Sequence, residues 1–367
     1  MVLIVGGGGA GLRFGTLFKE KNPDSKIIIL EEHKDIGKPV QCTGILTDEI
    51  EKLVPRKELE KFTLNKITKT KVISPNNSAT IPIKTNYIIS NPGFIEYLHE
   101  SALKKGVDIK TGTRYLRNTG SKIEYRDINS GKIIEVSDDK LVGADGPASK
   151  VARNNNLFGK RDFLTGVQAR VRLKDFDASQ IDFYPHIGEY AWFTPESDEI
   201  ARIGVAAKDN AKKIFDSFIK KYPGTILEMQ GGPIPLHKPG IRLRFQEKKF
   251  SATLLGDSAL QIKNTTGGGI IPGLKAAKVL SDNFESYEKK LGKLNRELYI
   301  HYLINKTFRK YSDKDWDRLI EKIKNERIKR ILEDTNRDNS AKLAVKLSMR
   351  PLMLSEGARA IFKLFSP

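Results

Sequence analysis

A chain of 367 residues, 39% hydrophobic and 30% charged, is long enough to bury a large core and too apolar to belong among disordered proteins. Lys and Arg outnumber Asp and Glu by 64 to 45, a formal +19, so the long-range field attracts an anionic membrane surface, a phosphorylated substrate or nucleic acid, unless the charge is only a solvated lysine-rich surface. A lone cysteine, Cys42, excludes an internal disulfide, five scattered histidines give no metal-ligand spacing, and no apolar run reaches the roughly 18 residues of a spanning helix. The first apolar strand starts at Val2 and leaves no room for a signal peptide, so the expectation is a cytoplasmic protein, soluble or peripheral at the inner membrane face.

Val2 to Val5 is a short β-branched run that meets glycines at once and leads into helical spacing from Leu12 to Phe18. After the Asn22-Pro23-Asp24 break, Lys26 to Leu30 reads as a second buried strand ending on Glu31, which completes a βαβ unit. Ile67 to Ile73 and Ile81 to Ile83 alternate as strands outside that unit, and Phe94 to Lys105 reads as a helix ended by Gly106. Val107 to Thr111, Lys122 to Tyr125 and Ile133 to Val136 are short strands, and Lys140 to Gly146 repeats the strand-then-glycine pattern. Thr165 to Val205 is β-rich with many aromatics, and Ser251 to Leu255 is a buried strand running into Gly256-Asp257. Helical spacing then fills Gly273 to Phe284, Tyr287 to Tyr311, Asp313 to Leu332 and Ser340 to Leu347.

Gly6-Gly7-Gly8-Gly9-Ala10-Gly11 satisfies G-x-G-x-x-G between a strand and a helix. Gly6 suits the turn, Gly8 the close approach of a pyrophosphate and Gly11 the packing of helix on strand, with the helix N-terminus supplying amide donors. Glu31, at the end of the next strand, suits ribose hydroxyls, and Glu32 is the register-shifted substitute. Cys42 reads either as a protonated thiol able to donate or as a small buried apolar residue. Tyr190 and Trp192 alternate with Ala191 and share a strand face, which is either sheet core or a substrate wall.

The fragment Gly143-Ala144-Asp145-Gly146-Pro147-Ala148-Ser149-Lys150-Val151-Ala152-Arg153 resembles the GADGxxSxxR segment of p-hydroxybenzoate hydroxylase-type flavoproteins, and Gly256-Asp257-Ser258-Ala259 is similar to their second FAD motif. Within that group, Lys38 to Ile45, Tyr190 to Pro195 and the glycine-rich run Gln261 to Ile270 resemble the geranylgeranyl reductase family. The chain departs from the family at Thr194, Asn91, Asn264 and Leu260. The resemblance implies a mixed α/β fold in which a Rossmann-type FAD-binding domain (1–60, 88–160, 246–285) is interleaved with an antiparallel β-sheet substrate domain (61–87, 161–245), followed by C-terminal helices from 286 to 367. It implies FAD held by Gly6, Gly8, Gly11, Glu31 or Glu32, Cys42, Asp145, Gly146, Gly256, Asp257, Gly267, Gly268, Gly269 and Ile270. The same resemblance makes Cys42 the catalytic candidate and Tyr190, Trp192 and Phe193 the substrate wall.

The function it implies is reduction of isoprenoid double bonds in geranylgeranyl chains of membrane lipids or their precursors. A prenyl lipid substrate, an external electron donor (reduced ferredoxin or NADPH) and an anionic membrane surface follow as partners, and no metal or nucleic acid is expected. Two other classes share the motifs: an FAD-dependent monooxygenase or halogenase acting on an aromatic substrate, and a non-catalytic relative that binds lipid or nucleic acid.

Overall fold

The computed structural model describes residues 1–365 and contains three sheets. The first has the order Arg244–Glu247, Phe250–Leu254, Lys140–Gly143, Val2–Val5, Ile27–Leu30, Asp108–Lys110, and it is parallel except between its first two strands. Val2–Val5 and Ile27–Leu30 are buried at every position, so they carry no polar face and read as unbroken apolar runs. Helix Gly9–Lys21 packs beside helix Ile270–Asp282, and Phe14, Phe18 and Phe284 form an aromatic cluster next to them. All three strand-then-glycine stretches therefore end side by side at one edge of the sheet, where open α/β sheets place their ligands.

The second sheet has eight strands in the order Thr225–Pro235, Phe163–Arg172, Ile200–Ala207, Tyr190–Pro195, Gln180–Tyr184, Thr63–Ile73, Ser78–Ile89, Ile45–Thr47. It is antiparallel, as expected, apart from one pair: Gln180–Tyr184 runs parallel to Thr63–Ile73. The chain leaves this sheet after Ile89 and re-enters at Phe163, so no hairpin dictates the direction of that pair. Tyr190 and Trp192 project from one face of their strand. Phe193 projects from the other, into a core with Phe215 and Phe218 of helix Ala211–Phe218, and its ring stacks on Tyr222 at 4.8 Å.

Thr113–Thr119, Lys122–Asp127 and Ile133–Ser137 form a small third sheet. The expected helix over Tyr287 to Tyr311 divides into Tyr287–Lys290 and Gly292–Phe308, and the one over Asp313 to Leu332 divides where the Asn325 side chain caps a new helix by accepting from the Arg327 amide at 3.0 Å. The resulting helices Asp313–Ile323 and Glu326–Asp334 turn back and pack on strand Ser78–Ile89. Ser340–Ser348 and Pro351–Phe365 complete the chain, and among the described residues no helix is long and apolar enough to cross a membrane.

Candidate functional site

A cavity of about 700 Å³ lies between the glycine edge of the first sheet and one face of the second. Gly6, at φ +106°, and Gly11 build the turn without lining the cavity. A Cβ on Gly6 would sit 2.2 Å from the Ala144 carbonyl oxygen, and one on Gly11 would sit 2.2 Å from the Gly6 carbonyl oxygen. Gly7, Gly8 and Gly9 do line it, and a Cβ on Gly8 would meet nothing within 4 Å. Helix Gly9–Lys21 begins with no side-chain cap, so its first amides and positive dipole end face open space, as an anion site requires.

Glu31 reaches the cavity with its carboxylate held in place: Oε2 accepts from the Gly7 amide at 2.8 Å, and Oε1 from the His33 amide at 2.8 Å. The His33 ring nitrogen also lies 2.7 Å from Oε1, so the lone pair open to a ribose hydroxyl is on Oε2. Glu32 is instead exposed and pairs with Arg114 at 3.0 Å, so the register-shifted alternative drops out. Gly146 lines the cavity but Asp145 does not. The Asp145 carboxylate turns onto the N-terminus of helix Lys150–Asn154, accepting from Ser149 Oγ at 2.6 Å and the Val151 amide at 3.1 Å, so its role is to fix the turn that presents Gly146.

Asp257 is the open polar group of the site. It lines the cavity, its carboxylate accepts no hydrogen bond from any described residue, and burial raises that carboxyl to about 6. Gly256 takes φ +70°, and a Cβ on Gly269 would lie 2.8 Å from Asp257 Oδ1 and push that carboxylate aside. Gly267, Gly268, Gly269 and Ile270 line the same region at the uncapped start of helix Ile270–Asp282. Two helix N-termini thus converge on one cavity beside an unpartnered carboxylate that can accept from a hydroxyl. That donor set fits a dinucleotide carrying a flavin at its far end.

Loop 38–44 carries Cys42 into the cavity and is anchored from below. Thr43 Oγ1 donates to Gln168 Oε1 at 2.8 Å, Arg202 donates to the Thr43 carbonyl at 2.6 Å, and Glu196 holds Arg202 at 2.9 Å. Burial pushes the Cys42 thiol up, so it stays protonated at neutral pH. Opposite, Tyr190 and Trp192 line the cavity with an unpartnered Tyr190 hydroxyl and Trp192 Nε1. A Cβ on Gly267 would lie 2.5 Å from Tyr190 Oη, which brings the aromatic wall into contact with the glycine-rich loop. Phe193 does not line the cavity, for the reason of strand alternation already given.

The departures from the family pattern leave the cradle open. Asn264 clamps a neighbouring loop, accepting from the His237 amide at 2.6 Å and donating to the His237 carbonyl at 3.0 Å. Leu260 is fully buried at φ +53°. Sequence reasoning missed the C-terminal contribution to the site. Leu332, Glu333, Thr335, Asn336, Arg337 and Leu343 line the cavity, and Asp338 is buried against the glycine-rich loop, bonding Lys263 Nζ at 2.5 Å and Thr47 Oγ1. His301 joins the same cluster between Thr265 Oγ1 at 2.7 Å and the Arg337 carbonyl at 3.2 Å. Among the described residues no group of His, Cys, Asp and Glu is arranged to hold a metal ion.

No family model matches the chain. A digeranylgeranylglycerophospholipid reductase of Methanothrix thermoacetophila is 24% identical over 97% of this chain and 97% of its own length. The chain is a homologue of the digeranylgeranylglycerophospholipid reductases. Among solved structures, a geranylgeranyl bacteriochlorophyll reductase-like protein from Thermoplasma acidophilum shares the fold with a TM-score of 0.78 and 20% identity, covering 98% of both chains. A flavin-dependent brominase shares it with a TM-score of 0.68 and 15% identity over 98% of this chain and 99% of its own. Fold, cradle and relatives agree on an FAD-dependent oxidoreductase.

Proposed function

We propose that this protein reduces carbon–carbon double bonds in the geranylgeranyl chains of membrane lipids or their precursors, using FAD. The observation that carries the reading is an apolar lining in the same cavity as the cradle, its apolar arm. Val72, Ile81, Ile83, Ile181, Phe183, Trp192, Leu332 and Leu343 line it, and it meets the glycine-rich loop at Tyr190. An isolated alkene offers no carbonyl to polarise, so it needs a dry wall and a strong hydride source.

Gly7, Gly8 and Gly9 with the first helix would hold the pyrophosphate, Glu31 the ribose and Asp257 a ribityl hydroxyl. The amides starting helix Ile270–Asp282 would favour negative charge on the ring system. FAD held there would provide the hydride for one alkene carbon. Cys42, protonated and beside the Asp257 end of the cavity, is the candidate proton donor to the other. Trp192 and Tyr190 would orient the chain and exclude water, and their π faces suit the positive charge that develops at a tertiary carbon.

The electron donor is external, reduced ferredoxin or NADPH. An anionic membrane surface would meet the last two helices, where Val345, Met349, Leu354, Ile361 and Phe362 are exposed among Lys342, Lys346 and Arg350. The test is anaerobic incubation of the chemically reduced holoenzyme with a digeranylgeranylglyceryl phospholipid. Mass gains in two-hydrogen steps with reoxidation of the flavin are expected, and Cys42→Ala is expected to slow them. Unchanged lipid, with reoxidation and product formation on an aromatic substrate only after oxygen is admitted, would replace this reading with oxygenation or halogenation.

A further inference from the structure

The stretch between helices Glu326–Asp334 and Ser340–Ser348 is held rigidly from three sides. The Asn336 side chain donates to Asp48 and accepts from the Asp338 amide at 2.8 Å, Asp338 is bound by Lys263 and Thr47, and His301 holds the Arg337 carbonyl. Within it, two side chains that line the cavity have no partner. Thr335 is 5% exposed with an unbonded hydroxyl, and the Arg337 guanidinium makes no hydrogen bond or ion pair with any described residue, its Nε being fully enclosed. The neighbouring Asp338 carboxylate is bound by Lys263 and Thr47 and makes no hydrogen bond to Arg337. Burial lowers the Arg337 pKa, and the charge of Asp338 offsets that only in part. A guanidinium without a hydrogen-bond partner, two residues from an unused hydroxyl donor, is costly to the folded protein unless an anion completes it.

We propose that Thr335 and Arg337 form an anion subsite that binds the phosphate group of the prenyl substrate, with the prenyl chain lying along the apolar arm. This rests on the reading of the cavity as a prenyl site, and it assigns substrate recognition to the C-terminal segment. The phosphate can belong to a free prenyl diphosphate or to a phospholipid head group, and both present the same oxygens to a guanidinium fork.

Binding to the oxidised holoenzyme, without reductant and so without turnover, tests it. Trp192 lines the cavity, and its fluorescence reports occupancy. Geranylgeranyl diphosphate is expected to bind ~10-fold or more tighter than geranylgeraniol, the scale of one charged hydrogen-bonded contact, and inorganic pyrophosphate is expected to compete with it. Arg337→Gln should shrink that gap to within about threefold while leaving geranylgeraniol unchanged, Arg337→Lys should keep part of it, and Thr335→Val should narrow it. Repeating the titration with digeranylgeranylglyceryl phosphate against digeranylgeranylglycerol decides the source, the pair with the larger gap being the native one. No gap in the unmodified protein, or a gap that survives Arg337→Gln, overturns the proposal. So does an Arg337→Gln variant that shifts the flavin potential and leaves lipid binding alone. Failure of alkene reduction with the binding gap intact would remove the catalytic reading and leave the subsite standing.

Discussion

Gly8 and Gly11 stand three residues apart in one motif, and alanine at each should fail in a different way. At Gly8 the added methyl meets nothing within 4 Å, so Gly8→Ala should fold normally, with a cost of at most ~1 kcal/mol for a poorer helix cap. The same methyl would occupy the space through which a pyrophosphate reaches the helix amides. Losing one such charge-assisted hydrogen bond, ~1.5–3 kcal/mol, weakens FAD binding by about 10- to 150-fold. At Gly11 the methyl would lie 2.2 Å from a backbone oxygen that cannot swing aside. Gly11→Ala should therefore cost ~3 kcal/mol, the upper range for overpacking, and lower the melting temperature by about 4 °C. Apoprotein melting by circular dichroism and FAD titration by flavin fluorescence separate the two effects. A Gly8→Ala protein that binds FAD as tightly as the parent would refute the cradle assignment, and a Gly11→Ala protein that melts with the parent would refute the packing argument.

Asp257 has a folded pKa raised to about 6, so its contribution to stability is present below pH 3.8 and is lost as pH rises through 6. Apo Asp257→Asn should then be more stable than the parent by roughly 2–3 kcal/mol at pH 7 and equal to it near pH 3, with chemical denaturation as the measurement. Asp338 runs the other way. Lys263 holds its pKa down to about 2, so its stabilisation is present above pH 4 and fades as pH falls toward 2. Asp338→Asn alone should cost ~3–5 kcal/mol at pH 7, and Lys263→Met in the same chain should recover most of it; an uncorrected loss would mean that the pair is not the reason for the cost. Gly204→Ala places a methyl 2.3 Å from the Trp192 ring, so prenyl-lipid affinity should fall while FAD affinity holds, checked by separate titrations.

The cradle was legible because its chemistry is local. A turn, a helix start and the next strand end lie within the first 31 residues, and a positive φ or a close backbone approach forces glycine into the sequence itself. Strand alternation was equally local and separates Tyr190 and Trp192 from Phe193, a distinction that motif matching alone overlooked. Asp145 shows a limit of the motif: a carboxylate in a recognised segment can be spent on capping its own turn.

The hidden parts are those whose meaning depends on a distant partner. Thr225–Pro235 is an edge strand exposed along most of its length, so it shows no apolar alternation, yet Gly232 lies against the Gln41 side chain and its neighbours close one wall of the cavity. Thr335 to Asp338 reads as an ordinary polar break between helices. It gains its role only because helices Asp313–Ile323 and Glu326–Asp334 fold back onto strand Ser78–Ile89, which brings Asp338 to Lys263 and leaves Arg337 unanswered beside the apolar arm. One sign was present in the sequence, since a lysine inside a glycine-rich loop that enters a helix is a charge in a place that will be dry. Such a charge demands a carboxylate from elsewhere in the chain, and the segment that brings the carboxylate comes to rest against the site.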